Sequence, residues 1–104
     1  MTIDAGAYRR HEFVIGLMDR KIAEFHAASL EMRRALGELT SIVDGEHRRT
    51  GIADPAYSLL ATASAQRALR LRQALLALEL QRDGAIAERR RALNDLARLR
   101  GAGA

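Results

Sequence analysis

Cysteine is absent from this 104-residue chain, tryptophan is absent, proline occurs once and aromatic residues make up only 4%. Without cysteine there is no disulfide framework and no thiolate metal site, an economy that fits the cytosol. No stretch approaches the run of about 18 apolar residues that a membrane span needs, and no signal-peptide core is expected at the N-terminus. The three histidines, His11, His26 and His47, are scattered, and none has a second histidine four residues away. A metal centre is therefore not expected, and His11 reads as structural. No glycine-rich loop follows a strand pattern. Catalytic, cofactor-binding and metal-binding residues are accordingly expected to be none, and the chain is not expected to be an enzyme.

What is present is alanine, leucine and arginine. Hydrophobic residues make up 48% and charged residues 29%, a composition of long helices and coiled coil rather than of a mixed globular core. The formal charge of +4 is unevenly placed: residues 1–50 hold eight basic and eight acidic side chains, residues 51–104 nine and five. Alanine and arginine also follow the base content of a genome, so the arginine count alone does not argue for a basic ligand-binding surface.

Periodicity organises the chain. In the second half, Tyr57, Ala61, Ser64, Ala68, Leu71, Leu75 and Leu78 recur in alternating steps of four and three, the spacing of a coiled-coil seam. The apolar stripe then takes two steps of four, through Arg82 to Ile86, and resumes at Arg89, Leu93, Leu96 and Arg100. That pattern predicts a stutter, with Gly84 beside it as a place to bend. In the first half an uninterrupted heptad runs through Tyr8, His11, Ile15, Met18, Ile22, Phe25, Ser29, Met32, Leu36, Leu39 and Val43. Gly16 and Gly37 are its weak points, with Gly37 a candidate for close approach of the second helix. The first helix ends near His47–Thr50, or earlier at Gly45.

Between the halves, Thr50-Gly51-Ile52-Ala53-Asp54-Pro55 sets a glycine past one helix end and a proline at the start of the next. So short a link forces the helices antiparallel, each about 65–70 Å long at 1.5 Å per residue. The expectation is a single all-α domain over 1–104, two long helices in an antiparallel coiled-coil hairpin: helix 1 about 7–49, turn 50–54, helix 2 about 55–100. Leu36, Leu39 and Val43 should face Ala61, Ser64 and Ala68; Leu71, Leu75 and Leu78 should meet Ile22, Phe25 and Met32.

Two surface features stand out. Away from the seam, helix 2 carries Leu59, Leu69, Leu76 and Leu80, with Tyr57 at its start, while no acid occurs between Pro55 and Leu78 and Arg67, Arg70 and Arg72 do. Helix 1 shows nothing comparable. Scattered surface leucine is one reading; the helical spacing favours a docking face for another protein. At the paired termini, Arg9 and Arg10 from one helix and Arg89, Arg90, Arg91, Arg98 and Arg100 from the other make a basic end. It reads either as a solvated face or as a cationic stem for an acidic ring. Nucleic-acid binding there is a further reading, but acids are interspersed and stacking aromatics are missing, so no nucleic acid is expected.

The plan of two long helices, the string Glu31-Met32-Arg33-Arg34, and Gly51-Ile52-Ala53-Asp54 followed by Tyr57 together resemble the flagellar type III export protein FliJ family. The resemblance implies a cytoplasmic, stalk-like component of the export apparatus, peripheral at the inner membrane through protein partners. Those partners would be the export ATPase ring, the export gate and export chaperones. Mapped onto this chain, the end bearing Arg9, Arg10, Arg89, Arg90 and Arg91 would engage the ring, and the strip of Tyr57, Leu59, Leu69, Leu76 and Leu80 the gate. The competing reading is a structural coiled coil that self-associates through Leu69, Leu76 and Leu80.

Overall fold

A computed structural model describes the backbone of residues 5–50 and 55–103 and the side chains of residues 5–48 and 59–101. The chain is an all-α helical hairpin of α1 (Ala5–Thr50) and α2 (Pro55–Gly103). The link between them and the Tyr57 side chain lie outside the described residues. Pro55 opens α2, where its fixed φ suits the helix and its missing N–H costs nothing. At the other end Arg100 stands in the last turn, where a cation complements the helix dipole. α1 passes through Gly45 and continues to Thr50. Of the two stops allowed by the sequence, the later one is used.

The chain divides into two compact units, Met1–His26 with Glu79–Ala104, and Ala27–Leu78. In the first unit the helices run antiparallel: Tyr8 meets Arg100 and Asp19 meets Arg89, one number rising by as much as the other falls. Met18, Ala85, Ala92 and Leu96 form its buried core. In the second unit Ser29, Ser64, Ala68 and Leu75 are buried. There Leu39 and Val43 share a surface with Ala65 and Ala68, so large residues of α1 lie against small ones of α2. Every residue of the α1 heptad from Tyr8 to Val43 is buried or half-buried.

The α2 seam differs from its reading in the sequence. No stutter occurs. The heptad continues through Arg82, Ala85, Arg89, Ala92, Leu96 and Leu99, all buried or half-buried. Ala92 is 5% exposed, whereas Leu93 is 39% exposed and Ile86 37%. Arg100, also assigned to the seam, is exposed. The cause is steric: α1 presents Met18, Ile22 and Phe25 along this stretch, and bulky residues on one helix are best met by small ones on the other. Arg82 and Arg89 occupy seam positions by laying their aliphatic stems along it and sending their charges outward, to Asp83 at 3.2 Å and Asp19 at 2.5 Å.

Two further expectations change. The register also differs from its reading in the sequence: Leu71 shares a surface with Ala35, Leu39 and Ile42, and Phe25 with Gln81, Gly84 and Ala85. Gly37 is not a point of close approach, because a Cβ built on it meets nothing within 4 Å.

Ser29, on the α1 seam, has a buried Oγ without a hydrogen-bond partner. An unpartnered buried hydroxyl costs its desolvation, and serine is the poorer helix former. Ser29→Ala is therefore expected to stabilise the protein by about 1–2 kcal/mol, read as a higher midpoint in thermal unfolding followed by circular dichroism.

Candidate functional site

The candidate residues fall on two surfaces. On the first unit, Arg9 and Arg10 of α1 and Arg90 and Arg91 of α2 are exposed, with no ion-pair partner among the described residues. Arg89 is engaged: its Nε donates to Asp19 Oδ1 across the helix pair. Arg98 lies 3.6 Å from Asp95 one turn earlier. Arg100 Nη2 donates to the Tyr8 hydroxyl at 2.8 Å, and its guanidinium carbon sits 5.6 Å from the tyrosine ring centroid. That hydrogen bond raises the Arg100 guanidinium above its ordinary value.

The three consecutive arginines do not form one patch. Neighbouring residues on an α-helix are rotated by about 100°, so Arg89 lies on the seam, Arg90 to one side of it and Arg91 to the other. Arg90 shares a shallow surface with Asp19, Ile22, Ile86 and Leu93. The basic end is thus a belt of separated cations around the helix pair, interrupted by Asp19 and Asp95. Such a belt suits an encircling anionic partner better than a flat one.

On the second unit, Leu59, Leu69 and Leu76 are all exposed, as are Arg67, Arg70 and Arg72. Leu69 and Leu76 stand two turns apart on one face, and the nearest acid in sequence is Glu79. Leu80, also exposed, belongs to the first unit. Tyr57, the remaining member of the strip, has its side chain outside the described residues. On α1, Leu30 and Ile42 of the second unit are exposed too, as is Phe13 of the first unit at 65%, none of them signalled by the heptad. Each is a lone apolar residue off the heptad seam, and a missing polar residue at such a position is the only signal they leave.

No group of three or more His, Asp or Glu is placed to hold a metal among the described residues. No helix among them is long and apolar enough to cross a membrane. The fold is a helical hairpin that carries exposed leucines and arginines on α2. No family model, curated protein or solved structure matches the chain.

Proposed function

We propose that this chain is a non-catalytic coiled-coil component of the flagellar type III protein-export apparatus. Its arginine belt seats in the export ATPase ring, and its leucine strip contacts the export gate and export chaperones. The protein is held at the inner membrane only through those partners. The observation that carries an interaction role is the exposure of Leu69 and Leu76 beside Arg72, on a helix face that a free-standing hairpin would make polar. The export apparatus as the setting rests on the resemblance of Glu31–Arg34 and Gly51–Asp54 to the FliJ family.

The test is stimulation of the cognate export ATPase in trans. Reversing Arg89, Arg90 and Arg91 to glutamate is expected to weaken the apparent affinity by about tenfold or more, a loss of about 1.4 kcal/mol. Arg90→Glu/Arg91→Glu, which spares the Arg89–Asp19 ion pair, should retain most of that effect with unchanged helicity. An ATPase indifferent to the wild-type protein sinks the proposal.

A further inference from the structure

We propose that the chain forms a two-fold dimer through the groove between α1 and α2 in the Ala27–Leu78 unit. This surface lies on the other side of the seam from Leu69 and Leu76. The groove is open to solvent, has a volume of about 690 Å³ and is lined by Ala35, Leu39, Ile42, Leu71 and Ala74, with Glu38 on the α1 wall and Arg67 and Arg70 on the α2 wall. Its floor is apolar or small, and Ile42 is left exposed within it. Glu31, seven residues before Glu38, adds a second acid to the α1 wall, and Leu60, seven before Arg67, adds an exposed leucine to the α2 side. Glu38, Arg67 and Arg70 have no ion-pair partner among the described residues.

An apolar floor between one acidic and one basic wall is complementary to itself, and this selects a second copy as the occupant. Two two-fold axes can bring such grooves face to face. An axis across the helices lays α1 on the partner's α1, acid on acid and base on base. An axis along the helices lays α1 on the partner's α2, antiparallel and at the same height as within the hairpin. Glu38 then meets the partner's Arg67 and Arg70, and the reciprocal contact follows by symmetry. Charge rejects the first arrangement and favours the second. The product is a four-helix bundle in which Ile42, Leu39 and Leu71 of both copies leave water. The small residues Ala35 and Ala74 allow the helices to approach closely.

Light scattering and sedimentation equilibrium on the full chain read this directly. The wild-type protein should have twice the chain mass at high concentration and dissociate more readily as salt is raised. Glu38→Arg alone and Arg67→Glu/Arg70→Glu alone should each raise the dissociation constant by about tenfold or more. An equimolar mixture of the two should recover the two-chain mass, because each then supplies the charge the other lacks. A chain carrying all three substitutions should dimerise by itself, which separates lost pairing from lost folding. A wild-type protein monomeric at every concentration overturns the proposal. So does a dimer that survives the single reversals, or one dissociated by Leu69→Gln/Leu76→Gln instead.

Discussion

Ala92→Asp is expected to lower the thermal midpoint by at least about 12 °C, while Leu93→Asp moves it by no more than about 4 °C. A wild-type alanine being more sensitive than the leucine beside it follows from their positions. Ala92 is 5% exposed, in the seam with Met18 and Leu96; Leu93 is 39% exposed on the flank. A carboxylate at 92 loses its water, and the seam cation one turn earlier, Arg89, is already committed to Asp19, so the change costs several kcal/mol, about 3 or more here. Small helical cores supply only about 3–5 kcal/mol in total, so that one change removes most of the margin. At 93 the new carboxylate stays wet and stands one turn from the exposed Arg90, an opposite charge at i, i−3. Differential scanning calorimetry of the two variants decides the matter. Equal sensitivity, or the reverse order, restores the stutter and removes the continuous heptad.

The same contrast recurs in the other unit, between two adjacent leucines. Leu75 is 8% exposed and Leu76 60%. Leu75→Ala should cost about 2–4 kcal/mol, because it deletes buried methyl groups and leaves a void in the seam. Leu76→Ala should stay within about 0.5 kcal/mol, as surface substitutions do. Urea unfolding with a common slope reads both, and the pair has functional value. If Leu76 can be changed without loss of stability, any loss of partner binding in a Leu76 variant belongs to the surface and not to the fold. A substantial loss of stability at Leu76 would mean that this leucine is packed, and the docking strip would lose its centre.

Helix, seam and direction were readable from residue types alone in α1. There the seam positions are large, the positions between them charged or small, and a 3.5-residue period has one interpretation. In α2 the same procedure failed after Leu78, for an identifiable reason. Periodicity counts hydrophobicity, and it preferred Ile86 and Leu93 to Ala85 and Ala92, whereas packing counts volume against what lies opposite. The run Arg89-Arg90-Arg91 misled in a similar way: contiguous in sequence, the three side chains are spread around the helix, and one of them is committed to Asp19. The groove that places Glu38 opposite Arg67 and Arg70 left no trace in the sequence, because its walls come from residues about thirty positions apart.

From the sequence by itself came the all-helical class, the two long segments with proline at the start of the second, the α1 seam and the leucines that face water on α2. Those follow from backbone propensity and from a period that one helix sets alone. Only the tertiary structure decided which α2 residues enter the seam, which arginines are tied to acids and which walls share a groove. Each of those depends on the register of one helix against another, and register is set by side-chain volumes meeting across the gap, a quantity that neither helix carries on its own.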